Sequence, residues 1–132
     1  MAELRLVLVT PETTLVDEPV SALRFPLYDG QIGVLPGRAP LIGRVGYGEL
    51  NITHVDGGHA SYFIDGGFVQ VKHNIVSILT DRALKREQID AAAAREKLKE
   101  AVARVAHSDA ESKARFRDQE RARQMIALAE SH

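Results

Sequence analysis

The chain has 132 residues, enough for one domain, or one small domain with an appendage, and for a core of ordinary size. Eighteen acidic and seventeen basic side chains leave it nearly neutral, so net charge argues neither for nor against nucleic acid or a charged membrane. No cysteine is present, which excludes a disulfide framework and thiolate chemistry and fits a reducing compartment. Met1 to Arg5 form no basic leader with an apolar run behind it, so no signal peptide is expected. No apolar stretch approaches the roughly 20 residues that span a bilayer.

From Glu3 to about Thr80 the pattern is one of short strands. Leu4, Leu6, Leu8 and Thr10 alternate with Arg5, Val7 and Val9, which predicts a strand largely buried on both faces. Pro11-Glu12 makes a turn. Thr14 to Val16 and Val20 to Phe25 read as two short strands separated by Asp17-Glu18-Pro19. Tyr28-Asp29-Gly30 is another turn. Strands are expected at Leu41 to Val45 and Glu49 to His54, around a turn at Gly46-Tyr47-Gly48. Asp56-Gly57 marks a hairpin, after which Ala60 to Ile64 returns. Asp65-Gly66-Gly67 is a bend or bulge before Phe68 to Lys72, and His73-Asn74 turns the chain into Ile75 to Leu79. Short strands at regular intervals with no helix between them predict an antiparallel sandwich or barrel.

Within this half, Gly30 to Ile42 alternates short apolar runs with glycine and proline. Pro36 fixes φ at one corner of a tight turn and Gly37 accepts a positive φ at the next. Ala39, before Pro40, is held extended. Nothing in the stretch is a nucleophile, a metal ligand or a general base, so it reads as a shaped rim that sits against a partner.

Composition changes at about Asp81. From Lys85 onward there is no Gly and no Pro, and Ala, Glu, Lys and Arg dominate. Ile89, Ala93, Leu98, Ala101, Val102 and Val105 form an apolar stripe at helical spacing that ends near His107. Ser108-Asp109-Ala110-Glu111 has the form of a capping box, with Ser108 bonding the amide three residues on and Glu111 reaching back. A second helix should run from about Asp109 to Glu130 on a thin stripe of Ala110, Ala114, Ala122, Met125, Ile126 and Ala129, with Phe116 to one side. The expected organisation is a β-sandwich over 1–84 and an antiparallel helical hairpin over 85–132. Alanine-rich stripes should contribute only a few kcal/mol to docking, so the hairpin is expected to dock or leave.

Candidate chemistry is sparse. Gly46-Tyr47-Gly48 lacks the third glycine and the helix of a dinucleotide site. The serines have no histidine-carboxylate pattern near them. His54 and His59 flank a flexible hairpin and could face each other, but two such ligands make a poor metal site. No catalytic residue and no metal site are assigned. Lys113, Arg115, Arg117, Arg121 and Arg123 form a basic run broken by Asp118 and Glu120. It is either a solvated face laced with ion pairs or a surface for an acidic partner. Without interleaved aromatics it does not point to nucleic acid.

Gly30-Gln31-Ile32-Gly33-Val34-Leu35-Pro36-Gly37-Arg38-Ala39-Pro40-Leu41 resembles the most specific signature of the epsilon subunits of F-type ATP synthases. Gly48-Glu49-Leu50, Gly66 to Val71, Asn74 to Leu79 and Ile89-Asp90 follow in that family's order and spacing. The resemblance covers essentially the whole chain and is strongest between Gly30 and Ala94. It implies a non-catalytic rotor subunit that couples ion flow to ATP synthesis, its sandwich gripping the foot of the central stalk. Asp29, Gly30 and Gln31 would meet the c-ring, and Arg38, Ala39, Leu41 and Ile42 the gamma subunit. Docked, the hairpin would permit ATP hydrolysis. Extended along gamma, it would inhibit, with Lys113, Arg115, Arg117, Arg121 and Arg123 against an acidic segment of the beta subunit in the alpha/beta hexamer.

Arg38 stands where the family often has histidine, and Gln70 where glutamate is common. The Ile-Asp-x-x-Arg-Ala motif through which some members bind ATP reads here Ile89-Asp90-Ala91-Ala92-Ala93-Ala94. Ala93 removes a cation the phosphates need, and Arg95 lies about 200° further round the helix. ATP binding is therefore expected to be weak or absent, and no cofactor is assigned. The expected location is the cytoplasmic face of a bacterial plasma membrane, with the membrane met only through the complex. A free-standing β-sandwich adaptor with a partner-binding hairpin is the alternative.

Overall fold

The computed structural model describes residues 3–131. Met1, Ala2 and His132, at the ends of the two expected units, lie outside them. Seven strands come first: β1 (Leu4–Val9), β2 (Thr14–Leu27), β3 (Gly30–Val34), β4 (Leu41–His54), β5 (His59–Lys72), β6 (Ile75–Leu79) and β7 (Ala83–Lys85). A 3-10 turn at Arg86–Gln88 leads to helices α1 (Ala91–Ala103) and α2 (Asp109–Glu130).

Strand order β1-β6-β5-β4-β2 returns to β1, because β1 also pairs with the first half of β2. The sheet thus closes on itself, which leaves few free edges. β3 continues the β1 edge of β2, and β7 takes over from β6 along β5. The pairing is antiparallel throughout except for β1 with β6, which run parallel. Leu4, Leu6, Leu8, Phe25, Leu50, Ile52, Ile64, Val69, Val76 and Ile78 fill the interior and are essentially inaccessible. Burying each such side chain contributes roughly 1.5–3 kcal/mol. Thr10 and Thr80, the buried polar residues, are hydrogen-bonded.

Two expectations are corrected by strand continuity, and a third is borne out. Thr14–Leu27 is one strand, not two, and Pro19 lies where β2 has β1 on one side and has not yet met β4 on the other. A missing amide is tolerated at such an edge. Gly46-Tyr47-Gly48 is not a turn but the middle of β4, where pairing to β2 shifts register. A side chain at Gly46 would stand 3.0 Å from the Leu27 carbonyl oxygen, so the glycine lets the strands approach. Asp65-Gly66-Gly67 does bend, with both glycines at positive φ, yet β5 keeps its register against β4 through it.

The helices form the expected antiparallel hairpin, closed by ion pairs Arg95–Glu130 and Arg104–Asp118. Ser108 caps α2 by accepting from the Glu111 amide at 3.1 Å. Glu111 reaches back to the His107 amide rather than to Ser108 itself. α1 ends at Ala103, so Val105 and His107 lie in the connection and Val105 is exposed. Only Ala94, Ala101, Ala122 and Leu128 are buried within the helices, and three of the four are alanines. α2 lies against β4 and β5, on the outer face that also carries the buried Phe63.

Candidate functional site

The rim is built from two tied turns. Gly37 has φ +87° and Arg38 donates its amide to the Leu35 carbonyl at 3.2 Å, so Leu35–Arg38 is the expected proline-glycine turn. Gly37 in turn donates to Asn74 Oδ1 at 2.7 Å. Asn74 and His73 both have positive φ, the conformation of a two-residue hairpin turn. Arg38, Ala39 and Pro40 are exposed.

Leu41 and Ile42 do not share a face, contrary to the grouping read from sequence. Neighbouring residues of a strand point to opposite sides: Leu41 packs against the core, while Ile42 is 77 % exposed. The register continues the Ile42 face across the sheet. Arg44 lies opposite Phe68, and Phe68 opposite Leu79. Phe68 is 58 % and Leu79 51 % exposed, and Ile75 joins them on β6. Sequence reasoning missed this apolar stripe, although Phe68 in the outward row Phe68, Gln70, Lys72 signals it. Asp29, Gly30 and Gln31 are exposed beyond Tyr28, next to Arg44, whose carbonyl accepts the Tyr28 amide and whose guanidinium lies 4.9 Å above the Tyr28 ring.

The basic run on α2 is not one face. Arg115 donates to the Ala101 and Val102 carbonyls, closing the C-terminal end of α1. Arg123 pairs with Glu120 at 3.1 Å. Arg121 reaches the sandwich: its Nε donates to Asp65 of β5 at 2.9 Å, and Nη1 to Asp118 at 3.1 Å. Its guanidinium stands 5.3 Å above the Tyr47 ring. Burial opposes its charge, but Asp65, Tyr47 and Asp118 hold its pKa above the ordinary value. The hydrogen bond from Arg104, against partial burial, lowers the pKa of Asp118, with help from Arg121 and Arg117. Lys113 and Arg117 line a groove of about 1200 Å³ between α2 and the sandwich, with Phe116, Phe68 and Leu79.

Ile89, Asp90, Ala93 and Ala94 line a second cleft, of about 570 Å³, at the start of α1. Asp90 accepts from the Ala93 amide at 3.0 Å and so acts as the helix cap. Arg95 is turned away and pairs with Glu130. The cleft also holds Arg82 and Lys97, which the sequence motif did not include. His54 and His59 do not face each other: His54 Nδ1 is 3.2 Å from Glu18, and His59 Nδ1 is 3.4 Å from the Thr53 hydroxyl. Burial, then Glu18 and Glu87, raise the pKa of nearby Tyr62.

Residues 3–86, the closed sheet and the first residue of the turn after it, match the family model of the ATP synthase delta/epsilon chain β-sandwich domain. The chain belongs to this family. An ATP synthase epsilon chain of Rhodopirellula baltica is 46% identical over 87 residues, 66% of this chain and 67% of that one. One from Synechococcus sp. is 35% identical over 124 residues, 92% and 90% of the two chains, and so includes the helices. A chain in the Euglena gracilis mitochondrial ATP synthase, resolved with OSCP, F1 and c-ring, superposes with a TM-score of 0.87 at 27% identity, covering 96% of this chain and 81% of its own. A chain of the Tetrahymena thermophila central stalk and c-ring shares the fold alone, at TM-score 0.76 and 14% identity over 96% of each. Family membership makes the chain a delta/epsilon-type subunit of an ATP synthase, and the free-standing adaptor is set aside. Among the described residues no helix is long and apolar enough to cross a membrane, consistent with a peripheral place in a membrane-associated complex.

Proposed function

We propose that the chain is a non-catalytic rotor subunit that binds the gamma subunit and the c-ring through its sandwich and brakes ATP hydrolysis through its hairpin. The observation that carries the reading is the apolar stripe of Ile42, Phe68 and Leu79, left exposed on a closed sheet whose core is complete without it. A monomer gains nothing by exposing three large apolar side chains on one face, and such a patch marks a partner surface. Gamma is assigned to this face and to Arg38 and Ala39. The c-ring is assigned to Asp29, Gly30 and Gln31. A pre-formed sheet loses little ordering entropy on assembly, as suits a part that transmits torque by shape.

The hairpin suits a brake because little apolar area holds it down. Lys113, Arg115, Arg117, Arg121 and Arg123 are the residues proposed for the acidic segment of the beta subunit, in a complex at the cytoplasmic face of a bacterial membrane. ATP binds weakly or not at all in this reading, since Ala93 supplies no cation; micromolar affinity by calorimetry would overturn that part. The deciding experiment compares hydrolysis by the assembled complex carrying the full chain with that of a complex carrying a chain ending at Lys85. Intact assembly with faster hydrolysis supports clamp and brake together. Equal rates remove the brake, and failure of both chains to assemble removes the clamp.

A further inference from the structure

Arg121 is the point at which the helices and the sandwich are joined by charge. Among the described residues, its bond to Asp65 is the one side-chain hydrogen bond between α2 and the long strands β2, β4 and β5. The Asp65 side chain is 13 % exposed and the Arg121 side chain 29 %, so water screens the pair less than it would a surface pair. Around it the apolar contribution is thin, with Ala122 and Leu128 as the buried side chains of α2.

We propose that Asp65 and Asp118 act as an internal mimic of an acidic partner. They present to Arg121 the two carboxylates that a partner segment rich in Asp or Glu would present. Docking on the sandwich and capture of that segment then compete for one guanidinium. The inference builds on the reading of α2 as a partner-binding helix and adds what restrains it. Asp65, held on β5, sets how often the helix is free. Lys113 and Arg117 make no ion pair among the described residues, so they are available while the hairpin is docked and give the first encounter. Arg115 caps α1 and stays engaged for as long as the two helices move as one.

Hydrogen exchange on the free full-length chain tests the latch. Asp65→Asn and Arg121→Gln should each speed exchange across residues 109–130 by about tenfold, as expected for losing one charge-assisted bond, with residues 3–80 unchanged. Arg121→Gln sits on the helix and leaves the sheet intact, so it decides the matter if Asp65→Asn disturbs β5. Wild-type exchange in α2 of Arg121→Gln overturns the latch. Binding of a short synthetic peptide of Asp and Glu tests the competition. Asp65→Asn should bind it about tenfold more tightly, because the competent fraction rises by the same factor. Equal binding by wild type and Asp65→Asn overturns the competition. A peptide bound by neither chain overturns the partner reading of α2 and leaves the latch to be judged by exchange alone.

Discussion

Single residues decide where this small fold is rigid and where it titrates. Gly67 has φ +112°, and a Cβ placed on it would fall 1.9 Å from the Leu79 carbonyl oxygen. No rotamer relieves a clash with backbone, so Gly67→Ala should cost about 3 kcal/mol or more, read as a lowered urea midpoint. Asp118 behaves differently, because its role is electrostatic. Its folded pKa lies below the ordinary 3.8, chiefly through the bond from Arg104. Its contribution is therefore complete above the unfolded value and is lost as pH falls through the lowered folded value. Acidification below about pH 4 should loosen α1 from α2 while the sandwich persists. Circular dichroism of the full chain through this range should show helix loss before strand loss, and Asp118→Asn should flatten the early part of that curve.

Elements were legible wherever a local rule acts alone. Ser108 marks the start of α2, and its side chain does accept from the Glu111 amide. Ser108→Ala should cost about 1 kcal/mol of helix stability, seen as faster exchange in the first turn of α2 with the last turn unaffected. The Pro36-Gly37 and His73-Asn74 turns were readable for the same reason, since Gly, Pro and Asn carry their own backbone preferences. What was not readable depends on partners distant in sequence. Asp17-Glu18-Pro19 looks like a break until β1 is seen beside it, and Gly46-Tyr47-Gly48 looks like a turn until Leu27 is seen packed against Gly46. The parallel pairing of β1 with β6 leaves no mark on either strand. The residues proposed for binding divide along the same line. Arg38, Ala39 and Ile42 lie exposed in a recognisable stretch, while Phe68 and Leu79 join Ile42 only through strand register. The five basic residues of α2 look alike in sequence, and only the fold shows that Arg115, Arg121 and Arg123 are already engaged.

At the scale of the whole molecule, the chain places its stable part and its movable part on opposite terms. The sandwich owns the large buried side chains, from Leu4 to Ile78, and none of that core cluster comes from the helices. A chain ending at Lys85 should therefore keep its cooperative unfolding, since β7 is retained and only the outer face under α2 is newly wetted. The stripe of Ile42, Phe68 and Leu79 makes the complementary prediction. These side chains are more than half exposed, so Phe68→Asp removes little packing and should change stability by less than about 1 kcal/mol. Placed in a desolvated interface, the same carboxylate would be buried without a partner, at a cost of several kcal/mol. Binding to the stalk should then fall by at least about a hundredfold, measured by reconstituting the complex with the variant and following its dissociation. A charge at Val55, equally exposed but on the far hairpin, should leave assembly unchanged. If Phe68→Asp assembles as well as wild type while keeping its fold, the stripe is not the face that grips the stalk, and the assignment of gamma to it falls.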